Sequence, residues 1–300
     1  MFTMLARTAL LATLAIATAA CNRDSATSNN AAATGPQQAL QKSIGLAREG
    51  DIGGLIENML PPAEFSRIKA EWTNQKDDAA IDDAARARFA ETMAKLTAPD
   101  AADALFKEFE PDIRQFDAQY QQQIPTMVAM GRSYLKGLMQ QSQELSVSEK
   151  EQAVGIIDAL AKWVEKTRFT DPDLVRKALG ILTESARELD LKSLDEARNL
   201  SFEQTAPKLK ISFNGLKKVL DLYGFSIDKT LDSAKTELVS STADSAVVKV
   251  SYTLLETPLQ STVEMVRIDD RWYNKDTIAK LKARETEKAT ATATPEAAKG

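Results

Sequence analysis

The chain has 300 residues, carries a formal net charge of −5 and contains no histidine. The missing histidine excludes Ser-His-Asp triads, Cys-His pairs and histidine-containing zinc sites. The acidic balance disfavours nucleic acid and anionic lipid as the main partners. No cofactor or metal site is predicted, because the acidic run at 77–83 lacks the glycine of a calcium-binding loop.

The N-terminus, residues 1–20, is predicted to be a signal peptide, and it is followed at once by the single cysteine of the chain, Cys21. Arg7 precedes an apolar run over 8–17, and Ala19 and Ala20 stand before the cysteine. This order is typical of a secretory signal, and the apolar run is too short to span a membrane. It resembles the signal of bacterial lipoproteins, in which the cysteine receives a diacylglyceryl group before cleavage. The resemblance implies a lipid attached to Cys21 and anchoring to the membrane.

Two features bear on where such a protein would reside. Asn22 follows the cysteine where many retained lipoproteins have aspartate, and the resemblance then implies the outer membrane, facing the periplasm, rather than the inner membrane. Ala17-Thr18-Ala19 also fits the site of ordinary signal cleavage. Cleavage there would leave a soluble periplasmic protein with a free thiol at Cys21, and this alternative stays open.

Composition divides the rest of the chain into four parts. Residues 21–36 are mostly Ser, Asn, Ala and Thr after the cysteine, and they predict a flexible tether. Fifteen such residues have a root-mean-square reach of about 20–23 Å. A helical region is predicted over 37–225, an antiparallel β-meander packed on helices over 226–282, and a disordered polar tail over 283–300.

Helix start and stop signals recur through the helical region. Gly50 is expected to end the first helix, and Asp51 to cap the second. Ser148 and Glu151 have the spacing of a capping box, and Pro111 is placed to begin a helix. These signals predict a body of many helices.

Three methionines, Met127, Met130 and Met139, occur at helical spacing. Methionine at such positions most often fills a core, and core filling is the prediction here. A metal-binding or adaptable binding face is the alternative.

The pattern changes to alternation near the C-terminus. Strands are predicted over 236–241, 248–254, 259–268 and 271–273. Turns are expected at 243–244, 256–258 and 269–270. Short neighbouring strands joined by turn residues indicate an antiparallel meander.

Both ends of the body resemble one known fold. Residues 47–51, which read Ala-Arg-Glu-Gly-Asp, and the hairpin at 269–273, which reads Asp-Asp-Arg-Trp-Tyr, are similar to exported α+β domains of the nuclear transport factor two-like fold. That resemblance implies a curved sheet around helices with an apolar pocket, for which the candidate lining residues are Tyr252, Leu254, Val266, Trp272 and Tyr273. Ordinary packing of the sheet on the helices is the alternative for all five.

The predicted fold class is mostly α with a small C-terminal antiparallel β-meander, and the predicted function is that of a non-enzymatic envelope lipoprotein. Its partners would be the membrane, through the lipid on Cys21, and either an envelope protein or an apolar small ligand. A carboxylate-dependent periplasmic hydrolase is the enzymatic alternative, and the clustered acids Glu108, Glu110 and Asp112 are its candidates. The second alternative is a soluble periplasmic protein with a structural role.

Overall fold

A computed structural model describes residues 35–74, 81–120, 122–143 and 145–292. In these ranges it contains twelve helices and four strands. The helices are α1 (Pro36–Glu49), α2 (Ile52–Met59), α3 (Pro62–Asn74), α4 (Asp83–Thr97), α5 (Ala101–Tyr120), α6 (Ile124–Gln141), α7 (Val147–Lys166), α8 (Pro172–Leu189), α9 (Leu194–Asn199), α10 (Phe202–Leu222), α11 (Ile227–Asp232) and α12 (Lys275–Thr292); the strands are β1 (Lys235–Ser241), β2 (Ser245–Leu254), β3 (Thr257–Ile268) and β4 (Arg271–Asn274). The mostly α fold class with a C-terminal meander is confirmed.

Side-chain caps begin most of the described helices, and a glycine ends the first. Gly50 ends α1 in the left-handed conformation with φ 70°, where glycine has no Cβ penalty. The Asp51 carboxylate accepts a hydrogen bond from the Gly54 backbone at 2.9 Å and so caps α2. Asp82, from the acidic run at 77–83, caps α4 in the same way; residues 75–80 lie outside the described ranges. The predictions at Gly50 and Asp51 are confirmed.

The predicted capping box at Ser148 is wrong by two residues. Ser146 caps α7, its hydroxyl accepts from the Glu149 backbone, and the Glu149 carboxylate accepts from the Ser146 backbone at 2.7 Å. Both serines have glutamate three residues later. The earlier box adds Val147 and Ser148 to the helix.

Pro111 lies inside α5 and does not begin a helix, which corrects a second prediction. An interior proline costs about 3 kcal/mol because it removes one backbone hydrogen bond and clashes with the preceding turn. Contacts on both sides of Pro111 offset this cost. Before it, Arg176 of α8 lies over the ring of Phe106, which is buried. After it, Asp117 accepts hydrogen bonds from Arg168 and Thr170.

The sheet is a meander in the order β1-β2-β3-β4, antiparallel throughout. Asp269 and Asp270 form the last turn with φ of 47° and 61°, as predicted. The middle turn lies at Leu255 and Glu256, which also have positive φ. It is therefore slightly earlier than the predicted 256–258, and Pro258 is already in β3, opposite Thr253.

The buried face of the sheet packs against helices from the distant helical region. Alternate residues of β2 are buried, namely Ala246, Val248, Val250, Tyr252 and Leu254. Helices α1 and α7 cover this face. At Gly155 of α7 a Cβ would lie only 2.5 Å from Leu259 of β3, so glycine permits close approach of the helix. Helix α1 therefore packs directly against the sheet although the two are far apart in sequence.

The helical region is organised around α8. Helices α4, α5 and α10 all pack against it. Gly215 of α10 faces Ser185 of α8, whose hydroxyl would be 2.5 Å from an added Cβ. The last helix, α12, contacts β3 and β4 and extends to Thr292. It therefore runs past residue 283, where the sequence predicts a disordered tail; residues 293–300 lie outside the described ranges.

Candidate functional site

The five predicted pocket residues do not face one space. In an antiparallel pair, residues directly opposite each other share a face. Tyr252 and Leu254 share the helix-covered face with Met265, and Trp272 belongs to that face through its pairing with Arg267. Val266 pairs with Tyr273, and both lie on the opposite face. Three of the five residues therefore lie on the helix-covered face of the sheet, and the other two lie on the opposite face.

The three residues on the helix-covered face are part of the core. Tyr252 and Leu254 form a cluster with Ala159 of α7 and with Val250. Trp272 belongs to a second cluster, with Val248 and others. The Tyr252 hydroxyl accepts a hydrogen bond from Gln152 of α7 at 3.0 Å. Burial raises the pKa of the Tyr252 phenol, and the Gln152 hydrogen bond opposes that shift. Tyr252, Leu254 and Trp272 therefore pack between the sheet and the helices, which is the alternative to lining a pocket.

On the opposite face, Tyr273 lies in the part of the sheet that α12 contacts. Tyr273 is only 2% exposed, and Ile278 of α12 is also buried. The Tyr273 hydroxyl is buried without a hydrogen-bond partner among the described residues. Burial raises the pKa of this phenol as well. The hydroxyl therefore adds a desolvation cost that no hydrogen bond offsets.

The two tyrosines should respond oppositely to removal of the hydroxyl. Tyr252→Phe breaks the bond from Gln152 and should lower the free energy of unfolding by about 0.5–1.5 kcal/mol. Tyr273→Phe removes an unpaired buried hydroxyl and should be neutral, or stabilising by up to about 1 kcal/mol. Urea denaturation of both variants checks this. A larger loss for Tyr273→Phe than for Tyr252→Phe would contradict these contacts.

Two open grooves lie in the helical region, away from the sheet residues. One, of about 600 Å³, lies along α8 and includes Lys177 and Glu184; Arg187 at its side donates to the carbonyl oxygens of Thr97 and Ala98. These two hydrogen bonds tie Arg187 to the C-terminal end of α4. Its guanidinium is therefore held in a structural contact.

The other groove, of about 590 Å³, lies between α8, α10 and the start of α11. Lys217 is its most enclosed charge, with a side chain 11% exposed. Its ammonium donates to the Arg48 carbonyl oxygen and to the Asp228 carboxylate, both at 2.6 Å. The charge of Lys217 is therefore balanced by Asp228 within the protein.

The acids proposed for a hydrolase are spread along α5 and are not enclosed. Glu110 is within 2.6 Å of Arg114, Glu108 is 3.8 Å from Lys95, and Asp112 is exposed. In the described ranges no aspartate or glutamate belongs to the buried side chains. A general acid needs a raised pKa, which burial would supply. The geometry gives these three acids no such environment.

Helix α6 presents the most exposed apolar side chains near one another. Met127, Met130, Tyr134 and Leu138, here called the α6 stripe, expose 53%, 66%, 67% and 43% of their surfaces. Core filling is therefore wrong for Met127 and Met130, while Met139 is half-buried. The sequence contained no signal for this outcome, because an exposed and a buried apolar stripe have the same period.

Comparisons with known proteins leave the family open: no family model, no curated protein and no solved structure matches this chain. Among the described helices, none is both long and apolar enough to cross a membrane. Cys21, the predicted lipid-attachment residue, lies outside the described ranges.

Proposed function

We propose that this protein is a lipoprotein of the bacterial envelope, anchored through lipid on Cys21, whose folded body acts as a non-enzymatic binding or assembly accessory facing the periplasm. The observation that carries the proposal is the position of Cys21 directly after the signal-like segment 1–20. Two or three acyl chains anchor a protein stably, whereas one does so only marginally.

The arrangement of the body supports a surface function. Three of the five candidate pocket residues lie in the core, Tyr273 is buried on the other face of the sheet, and the Lys217 ammonium of one groove is paired with Asp228. The α6 stripe instead offers apolar side chains directly to the surroundings. The proposal therefore favours a large envelope component, either a protein or the membrane surface, over an apolar small ligand.

Metabolic labelling with an alkyne fatty acid tests the anchor. Wild-type protein expressed in its own host should carry the label and sediment with membranes. Cys21→Ser should abolish the label, because serine offers no thiol for the diacylglyceryl group. Ser25→Ala, a neighbouring change that keeps Cys21, should be labelled like the wild type. Absence of label on the wild type, or equal label on Cys21→Ser, would refute the proposal.

A further inference from the structure

The α6 stripe is a continuous outward face of one helix. Its members follow one another at intervals of three and four residues, so they lie in a single row over about 16 Å. The inner face of the same helix is identified by two ion pairs to α7. Arg132 and Lys136 approach the Asp158 carboxylate at 2.5 and 2.7 Å. The stripe therefore points away from the body on the other side of α6.

Charge around α6 differs from that of the whole chain. From residue 118 to residue 143 there is no aspartate or glutamate, although the chain has 43 of them. The charged residues in this stretch are Arg132 and Lys136, which share the one carboxylate of Asp158. Burial disfavours ionisation of Asp158, yet the hydrogen bonds from Lys136 and Arg132 hold the pKa of this carboxyl below its ordinary value. Helix α6 therefore carries no acidic residue on a protein whose net charge is negative, and its two cations lie on the face opposite the stripe.

The size of the stripe argues against a second copy of the chain as its occupant. A stable protein interface needs about 800 Å² on each partner. A single row about 16 Å long and one helix wide falls far short of that area. A weak apolar contact is sufficient, however, when a tether already keeps the two surfaces together, because the effective concentration is then high.

We propose that α6 rests on the phospholipid bilayer to which Cys21 is anchored, with the α6 stripe inserted at the boundary of headgroups and acyl chains. This inference rests on the proposed function, since the anchor supplies the proximity. Fourteen residues, 22–35, lie between Cys21 and the start of α1, and fourteen residues reach at most about 50 Å, a length that lets the body turn α6 toward the lipid. Methionine and leucine supply apolar surface, and tyrosine favours the membrane interface. The contact fixes the orientation of the body on the membrane.

A probe at a single cysteine tests the contact in the lipidated full-length protein. Cys21 is then blocked by its lipid, so a cysteine introduced elsewhere is the one free thiol. Met130→Cys places a fluorescent nitrobenzoxadiazole label in the stripe, and Ser133→Cys places it on an exposed position outside the stripe. Both proteins are reconstituted in phosphatidylethanolamine–phosphatidylglycerol vesicles with and without nitroxide-labelled lipid. Quenching at 130 should exceed quenching at 133 by at least about threefold, since interfacial helices insert about 5–10 Å.

Charge substitutions give the matched control. In the Met130→Cys protein, Met127→Glu with Tyr134→Glu should reduce quenching to the level seen at 133. Thr126→Glu with Ser133→Glu adds the same charge at the same spacing outside the stripe and should leave quenching unchanged. Vesicles of phosphatidylcholine should give similar quenching, because the stripe itself is uncharged. All these positions are exposed, so circular dichroism should show unchanged folding.

Equal quenching at 130 and 133 would overturn the lipid contact. Protection of the probe at 130 in intact cells, without quenching in lipid vesicles, would also overturn it and would assign the stripe to an envelope protein. Failure of the anchor is a separate result: the protein would then not reconstitute, and Cys21 itself would take the fluorescent label.

Discussion

Phe202→Ala should lower the free energy of unfolding by about 3–5 kcal/mol, the usual cost of truncating a buried phenylalanine. Phe202 is 6% exposed at the start of α10. Its ring meets Phe65 and Trp72 of α3 edge to face, with centroids 5.3 and 5.8 Å apart. The indole of Trp72 also donates to the Leu200 carbonyl oxygen at 3.3 Å. Removing the ring therefore leaves a cavity between α3 and α10.

Phe109→Ala is the matched control for this substitution. Phe109 exposes 43% of its surface, and its truncation should cost about 1–2 kcal/mol. Urea denaturation followed by circular dichroism measures both variants. If Phe202→Ala cost less than Phe109→Ala, the packing of α3 on α10 described above would be wrong.

Leu231→Ala should cost about 2–5 kcal/mol. Leu231 of α11 is 1% exposed and packs with Ile44 and Ala47 of α1, beside Leu55 and Ile227. Because α11 contacts both α1 and β2, the loss should lower the stability of the helices and of the sheet together. Hydrogen exchange should therefore show faster opening of amides in both α1 and β2.

Leu182→Ala serves as the control, because Leu182 is 48% exposed on α8. It should cost about 1 kcal/mol and leave the relative exchange of α1 and β2 unchanged. Faster exchange confined to α11 in the Leu231 variant would contradict the view that α11 joins the first helix to the sheet.

Local signals in the sequence predicted local structure well. Gly50 and Asp51 are a helix stop and a helix cap because their side-chain chemistry acts within three or four residues. The meander was predictable because alternation in β2 reports one buried face. Both kinds of signal need no knowledge of distant contacts.

Predictions that depended on distant contacts were less successful. The sequence predicts a helix start at Pro111, whereas the helix continues through it and is held on both sides by contacts of α5 with Arg176, Arg168 and Thr170. Ser146 and Ser148 each had glutamate three residues on, so spacing alone could not choose between them.

The candidate site shows the same limit. The resemblance groups Val266 and Tyr273 with Trp272 as candidates for one pocket. The register of the strands places Val266 and Tyr273 on one face of the sheet and Trp272 on the other. Exposure of Met130 and Tyr134 likewise depends on what packs beside α6, which periodicity does not contain.

The mass of the mature N-terminal peptide is the most direct measurement of whether Cys21 carries the anchor. Protein purified from its own envelope would be digested and its first peptide analysed by mass spectrometry. We expect a peptide that begins at Cys21 and carries the added mass of a diacylglyceryl group. A peptide that begins at Ala20, with an unmodified Cys21, would show ordinary cleavage after Ala19 and would refute the lipid anchor.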